Sequence, residues 1–278
     1  MILTGLIGWP VAHSKSPAMH NAAFRAAGVD GFYALLPVPP QRVGEAVAGL
    51  RALGFRGANV TVPHKRAVIP FLDELSPEAR AIGAVNTILV EKDGRLVGTN
   101  TDAWGFARDL EAQGLDLKAL PHRGALVLGA GGSARAVVYA LAIRLIPTQI
   151  LARRPEQAQA LIASLAPHLP RGDLLHAHPW SRLPELAPAV GLIVNCTPVG
   201  MTPREDASPW PDHLPFHSEQ ALYDLVYNPP RTRLMAQAQA GGARAWNGLG
   251  MLVYQGARAW ELWTGQPAPV DVMTAAVQ

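Results

Sequence analysis

Gly124-Ala125-Leu126-Val127-Leu128-Gly129-Ala130-Gly131-Gly132-Ser133-Ala134 runs a short apolar strand into a glycine-rich turn. Val137, Val138, Leu141 and Ala142 then share one face at helical spacing. A lone G-x-G-x-x-A is a weak signal, but the strand before it and the helix after it are the context of a dinucleotide-binding unit. The early glycines permit a tight turn and close approach to a pyrophosphate, and Ala134 still allows close helix packing. A purely structural glycine turn would not require that context. The second strand of the unit is expected over residues 148–152. An NAD site usually places Asp or Glu near the end of that strand, roughly 20 residues past the glycines. Arg153 and Arg154 stand there instead, with no acid before Glu156. Arginine suits a 2′-phosphate and hence NADP. Two solvated arginines at a strand exit are the plainer alternative, and the missing acid favours the phosphate.

Further strands are expected at residues 174–177, 192–196, 222–226 and 243–246. The total is about six, as in a doubly wound dinucleotide fold. Cys196 has no neighbouring base in sequence and reads as a buried core thiol. His176 and His178 lack a companion cluster, so no metal site is expected.

Upstream, strand and helix also alternate, which predicts a second, mostly parallel sheet. Strands are expected at residues 2–8 and 32–38, with a helix marked by Val43, Ala46, Val47 and Leu50 after them. In Asn59-Val60-Thr61-Val62-Pro63-His64-Lys65, apolar and polar residues alternate as in a strand with one buried face. Pro63 suits a first helical position. The stretch therefore predicts a strand entering a helix, with Lys65 in its first turn at the sheet's carboxyl end, where such folds place ligands. A cation is disfavoured at that end of a helix dipole. An ordinary exposed lysine explains the stretch, taken alone, equally well. Ser16-Pro17 reads as an N-cap and first helical residue, which sets Ser14 and Ser16 at a helix N-terminus suited to an anion. Simple capping needs only Ser16. Ser76-Pro77-Glu78 opens another helix by the same signal, and residues 251–263 form the last.

Asp93-Gly94 lies between two apolar runs, the strongest short hairpin signal. A two-residue turn there sets residue 86 opposite residue 101, which brings Asn86 close to Asp102 at the open end. Asp102 also precedes Ala103, Phe106, Ala107 and Leu110 at helical spacing, so it reads equally as an N-cap. Residues 114–123 look like a connector to the glycine-rich unit.

The 278 residues suggest two domains. Apolar residues make up 49% and charged residues 16%, enough for sizeable cores and against global disorder. A net charge of +3, from 24 basic and 21 acidic residues, is too small and scattered for nucleic acid, although Arg123, Arg135, Arg144, Arg153 and Arg154 thicken the basic count mid-chain. With one cysteine no internal disulfide forms, which fits a reducing compartment. The amino terminus lacks a basic n-region and reads as a strand, not a signal peptide. No apolar run reaches the ~18 residues of a membrane span. A soluble, cytoplasmic protein is expected.

Together the motifs resemble the shikimate dehydrogenase family along nearly the whole chain. They are Ser14-Lys15-Ser16, residues 59–65, Gly83-Ala84-Val85-Asn86-Thr87, Asn100-Thr101-Asp102, residues 129–133, residues 195–201, residues 224–229 and residues 247–255. Several are weak singly; their order and spacing make the set specific. The resemblance implies an α/β protein with an N-terminal substrate domain over residues 1–102, rejoined by a C-terminal helix within residues 248–278. It implies a Rossmann-type doubly wound NADP-binding domain over residues 103–247. The implied reaction is reversible NADPH-dependent reduction of 3-dehydroshikimate to shikimate, by a monomer or homodimer acting on a small molecule. By the same resemblance Lys65 and Asp102 form the catalytic pair. Ser14, Ser16, Asn59, Thr61, Asn86, Tyr227 and Gln255 bind substrate, the two serines at its carboxylate. Gly129, Ala130, Gly131, Gly132, Ser133, Arg153, Arg154, Leu225 and Gly248 line the cofactor. The chain departs from the family where Ala152-Arg153-Arg154 replaces Asn-Arg-Thr, so some contacts to the adenine ribose are lost or replaced. Cys196 stands where alanine is common.

Two other functions compete. A quinate, or dual quinate and shikimate, dehydrogenase differs around the serines, and Ser14 with Ser16 favours shikimate. A noncatalytic sensor of NADP and a small acid is disfavoured by an intact Lys65 and Asp102.

Overall fold

The computed structural model describes residues 1–120 and 124–278; the end of the expected connector, Arg123 included, lies outside the described residues. In chain order the first elements are β1 (Ile2–Gly8), α1 (Ser16–Ala26), β2 (Gly31–Pro37), α2 (Val43–Ala52) and β3 (Gly57–Val60). They continue with β4 (Glu74–Leu75), α3 (Pro77–Ile82), β5 (Thr87–Val90), β6 (Leu96–Thr99) and α4 (Asp102–Ala112). The glycine-rich unit follows as β7 (Ala125–Leu128), α5 (Gly132–Ala142), β8 (Thr148–Ala152), α6 (Pro155–Leu165) and β9 (Leu175–Pro179). Then come α7 (Leu183–Leu186), β10 (Leu192–Asn195), β11 (Ala221–Asp224), α8 (Arg233–Ala240), β12 (Arg244–Asn247), α9 (Leu249–Thr264) and α10 (Val270–Ala275). The chain separates into two units, Met1–Gly105 with Leu252–Gln278, and Phe106–Met251.

The first unit holds a six-stranded sheet in the order β2-β1-β3-β5-β6-β4. β1 pairs in parallel with β2 and β3, and the β5–β6 hairpin adds antiparallel to β3. Val43, Val47 and Leu50, spaced three and four apart on α2, are buried with Ile7, Val60 and Ile88 in one core cluster. α3 is capped as its sequence predicts: Ser76 Oγ accepts from Ala79 N–H at 3.1 Å, and Gly83 ends the helix at φ 67°. The C-terminal helices are tied into this unit. Trp263 Nε1 donates to the Ile88 carbonyl at 3.1 Å, and α10 packs on α1. α10 is a helix beyond the one expected as the last.

The second unit holds six strands, all parallel, in the order β12-β11-β10-β7-β8-β9. Strand order reverses beside β7, so the glycine turn after β7 lies at the topological switch point where doubly wound sheets bind ligands. Ala125 through Leu128 are buried, as expected of a central parallel strand.

Three local expectations are corrected. No α-helix follows Asn59–Val62. Residues 61–64 form a turn closed by His64 N–H on the Thr61 carbonyl at 2.9 Å, and only a short 3₁₀ segment, Ile69–Phe71, comes after. The Val62 carbonyl accepts from Trp9 N–H at 3.1 Å, and Thr61 N–H donates to the Ile7 carbonyl at 2.9 Å. The chain stays bound beside β1, and the Val62 carbonyl is not free for a helix's own N–H groups. Lys65 therefore faces no helix-dipole penalty. Next, Ser16 does not cap α1; it lies inside the helix, and Ser14 Oγ accepts from Ser16 N–H at 3.2 Å. Lastly, the hairpin loop has three residues. Thr87 pairs with Thr99 and Val90 with Leu96, and Glu91 N–H donates to the Arg95 carbonyl at 2.9 Å. Lys92-Asp93-Gly94 is thus the loop, with Gly94 in the left-handed region at φ 85°, a common three-residue solution. That register sets residue 86 against 100 rather than 101.

His20 on α1 is fully buried, stacked on the Tyr33 ring at 4.3 Å, and neither ring nitrogen has a hydrogen-bond partner among the described residues. Burial lowers its pKa from the usual 6.5 to about 3. Between these values the unfolded chain binds a proton that the native state refuses, so stability is complete above pH 6.5 and is lost as pH falls toward 3. Urea unfolding of the wild type should weaken through this window, with a limiting slope of about 1.4 kcal/mol per pH unit from this residue. His20→Phe should lack that share of the slope; identical pH profiles for the two proteins would refute the assignment.

Candidate active site

In the first unit, the turn after β3 delivers Lys65, the open end of the β5–β6 hairpin delivers Asn86, and the start of α4 delivers Asp102. Lys65 Nζ donates to Asp102 Oδ2 at 2.6 Å, with side chains 19% and 8% exposed. So well-shielded a pair is costly to desolvate and persists only with good geometry and further hydrogen bonds. Asn86 supplies one: its Nδ2 donates to Asp102 Oδ1 at 2.8 Å. The Asn86 carbonyl oxygen Oδ1 accepts from Thr101 N–H at 2.7 Å, which locks the amide in one orientation. The Lys65 carbonyl accepts from Val85 N–H at 2.8 Å, so the turn and the hairpin are also joined through the backbone.

Asn86 Nδ2 has three acceptors for two hydrogens: Asp102 Oδ1, Thr101 Oγ1 at 2.9 Å and Gln255 Oε1 at 3.2 Å. Gln255, on α9, has the longest of these bonds and is the partner most readily given up to a ligand. Asn59 is anchored from behind. Tyr33 Oη donates to Asn59 Oδ1 at 2.8 Å, and Asn59 Nδ2 donates to Thr87 Oγ1 at 3.0 Å. Thr87 Oγ1 donates to Asn86 Oδ1 at 3.1 Å, so one buried network runs from Tyr33 to Lys65. Tyr33, Thr87 and Thr101 were not expected as site residues; their side chains carry no local sign of a polar partner distant in sequence.

Thr61 is half-buried, and a side chain at Gly8 would run into it. Ser16 is buried and Ser14 half-buried. Because the Ser14 oxygen accepts locally, its O–H remains free to donate to an anion. Tyr227 belongs to the second unit, half-buried three residues past β11, with its phenol pKa raised by burial.

In the second unit, the carboxyl ends of β7, β8 and β10 frame a cleft of about 990 Å³. Gly129, Ala130, Arg153 and Arg154 line it, as do Trp180 and Cys196. Cys196 is half-buried on this wall, a correction to its expected place in the core, because the strand ends at Asn195 and the chain turns outward. Gly129 has φ 104°, and a Cβ there would meet Thr197 at 3.1 Å, so this position demands glycine. Gly131 and Gly132 have nothing within 4 Å of an added Cβ. Ser133 is half-buried in the first turn of α5. The exposed guanidiniums of Arg153 and Arg154 have no carboxylate partner among the described residues. The space, the bare glycine turn and the free cations fit an anionic dinucleotide. Leu225 and Gly248 meet each other after β11 and β12: a Cβ on Gly248 would strike the Leu225 carbonyl. Among the described residues no His, Cys, Asp and Glu cluster of metal-binding size exists; His178 Nε2 sits 2.6 Å from Gln149 Oε1.

Asp224, fully buried, holds these strand ends together. Asn195 Nδ2 and Val226 N–H donate to its Oδ1 at 2.8 and 3.1 Å, and Thr232 Oγ1 donates to Oδ2 at 2.7 Å. Burial raises its pKa, and the three donors oppose that rise.

Family models agree with this geometry. Residues 6–88 match the shikimate dehydrogenase substrate binding domain, and residues 248–278 match the shikimate 5′-dehydrogenase C-terminal domain. The chain is 51% identical to the shikimate dehydrogenase (NADP(+)) of Salinibacter ruber over 96% of its own length and 93% of that protein. It superposes on shikimate 5-dehydrogenase from Thermus thermophilus in complex with NADP(H) and shikimate with a TM-score of 0.88 at 41% identity, covering 100% of this chain and 98% of that one. A quinate dehydrogenase from Corynebacterium glutamicum in complex with NAD matches at a TM-score of 0.91 and 31% identity, over 99% and 98% of the two chains.

Asp224→Ala should leave Asn195, Thr232 and the Val226 N–H unpaired in a dry site, at roughly 1–3 kcal/mol for each group left without a partner. Urea unfolding followed by circular dichroism reads the loss; an unchanged midpoint would show that the carboxylate holds nothing.

Proposed function

This chain belongs to the shikimate dehydrogenase family, and on that footing we propose which residues carry out its NADP-dependent interconversion of 3-dehydroshikimate and shikimate. Lys65 and Asp102 are the catalytic pair. The observation that carries this reading is their 2.6 Å contact, braced by Asn86. In ketone reduction, negative charge grows on the carbonyl oxygen. A lysine ammonium beside that oxygen stabilises the charge and gives up the proton. In the reverse direction the amine takes the proton back from the alcohol. Asp102 Oδ2 holds the ammonium in place and, with its remaining lone pair, accepts from a neighbouring substrate hydroxyl.

Ser14 and Ser16 hold the substrate carboxylate at the start of α1, where the Ser14 hydroxyl and free N–H groups are available. Asn59, Thr61, Asn86, Tyr227 and Gln255 bind the hydroxylated ring. Residues 1–102 with 248–278 form the substrate domain, and residues 103–247 the NADP domain. Gly129, Ala130, Gly131, Gly132 and Ser133 cradle the pyrophosphate, Arg153 and Arg154 the 2′-phosphate, with Leu225 and Gly248 also against the cofactor. Bound NADP(H) supplies or takes up the hydride; the proton and the orientation of the substrate fall to the chain. Cytoplasmic residence, supported by the single cysteine, and action as a monomer or homodimer belong to the same proposal.

Lys65→Ala should lower turnover of 3-dehydroshikimate by about 10²–10⁴-fold, the scale of a lost general acid. NADPH affinity, followed by fluorescence titration, should stay near wild type, since the glycine turn and the arginines are untouched. Lys65→Arg should rescue poorly, because a guanidinium does not release a proton near neutral pH. Near-normal turnover in Lys65→Ala would remove it from the chemistry.

A further inference from the structure

We propose that Arg204 is a third arginine for the adenosine 2′-phosphate and sets the preference for NADP over NAD; this rests on reading the second unit's cleft as the NADP site. Arg204 lies on the segment that leaves β10 and lines the same cleft as Arg153 and Arg154, which stand just past β8. Those two arginines follow Ala152, which offers no side-chain hydrogen bond where the ribose phosphate is expected.

The backbone that presents Arg204 is pinned on both sides. Thr202 N–H donates to the Asn228 carbonyl at 3.2 Å, and Arg204 N–H closes a turn on the Met201 carbonyl at 2.9 Å. Two residues on, the Asp206 carbonyl accepts from Arg233 Nη1 at 2.9 Å. The adjacent Glu205 carboxylate is engaged elsewhere. Glu205 accepts from Thr202 Oγ1 at 2.7 Å, and Arg233 spends its other nitrogen on Asp212 at 2.7 Å. Arg204 itself is exposed and has no carboxylate partner among the described residues. Two other arginines of the same unit are neutralised: Arg171 sits on Asp173 at 2.6 Å, and Arg182 pairs with Glu185.

Three uncompensated guanidiniums on the walls of one cleft repel one another until an anion arrives. A phosphate monoester carries close to two negative charges near neutral pH and presents three acceptor oxygens. Guanidinium forks match those oxygens in a way that a ribose hydroxyl does not. A cation held on a fixed loop across the cleft from Arg153 and Arg154 therefore adds affinity for the phosphorylated cofactor selectively.

The test is fluorescence titration of Arg204→Ala, Arg204→Lys and Arg153→Ala with NADPH and NADH, and competition by adenosine 2′-monophosphate. Arg204→Ala should raise the NADPH dissociation constant about tenfold, the loss expected for one charge-assisted hydrogen bond. NADH affinity should stay within about twofold, because its ribose carries no phosphate. Arg204→Lys should recover part of the loss, since it keeps the charge but not the fork. Equal losses for both cofactors, or no loss for either, overturn the role of Arg204. If Arg153→Ala removes the NADPH preference and Arg204→Ala does not, the cleft remains the NADP site and only this proposal fails. If neither variant changes the preference, both fail.

Discussion

The hydrogen bond from Asn86 to Asp102 fixes the arrangement of the buried polar cluster in the first unit. It ties the end of a hairpin to the start of a helix, and Lys65 is then held by the oxygen that Asn86 leaves free. A buried carboxylate and ammonium are tolerable only because each polar atom around them has a partner. Asn86 has no spare acceptor capacity and more acceptors around it than hydrogens to give. The amide can therefore occupy only one orientation, and the pair it supports inherits that rigidity. Tyr33 and Asn59 extend the same bracing back through the sheet.

The second unit solves a similar problem with a carboxylate in a structural role. Asp224 gathers Asn195, Thr232 and the Val226 N–H at the ends of two adjacent parallel strands. Those strand ends carry the segments that wall the cleft and bring Leu225 against Gly248. Sheet geometry alone puts strand ends on one edge; it does not choose the paths of the loops beyond them. Asp224 does so for two of them.

Much of this was legible in the residues. Alternating and continuous apolar runs located the strands of both sheets except the two-residue edge strand β4, which carries no periodic signal, and the glycine turn with Arg153 and Arg154 located the cleft. The meeting of Asn86 and Asp102 followed from the hairpin even though its register was off by one. Gly94 can serve a two-residue turn or the left-handed end of a three-residue loop, and local sequence does not distinguish them. Pro63 does not open a helix because helix signals are local, whereas the Val62 carbonyl is claimed by Trp9 N–H and the Thr61 N–H by the Ile7 carbonyl of the neighbouring strand. Ser16 was expected as the cap of α1, but the helix starts one residue earlier than a Ser16 cap requires, and it is Ser14 whose hydroxyl oxygen accepts from Ser16 N–H. Trp180 and Arg204 gave no sequence sign at all, since each reaches the cleft from a segment whose course depends on tertiary packing.

The three-residue loop at the hairpin tip acts as a ruler for residues that lie well away from it. Side chains on paired strands alternate between faces, so a single inserted or deleted residue shifts one strand against the other and turns its whole set of side chains over. Lys92 is exposed and free to vary in identity, whereas Asp93, also exposed, accepts from Arg95 N–H at 3.1 Å and from Arg95 Nε at 2.7 Å. Their number is not free, because Asn86 and the Asn100-Thr101-Asp102 run are counted from opposite ends of the same loop. Drift in this lineage should therefore accumulate as substitutions at the tip and almost never as changes in its length, a constraint set by counting rather than by contact.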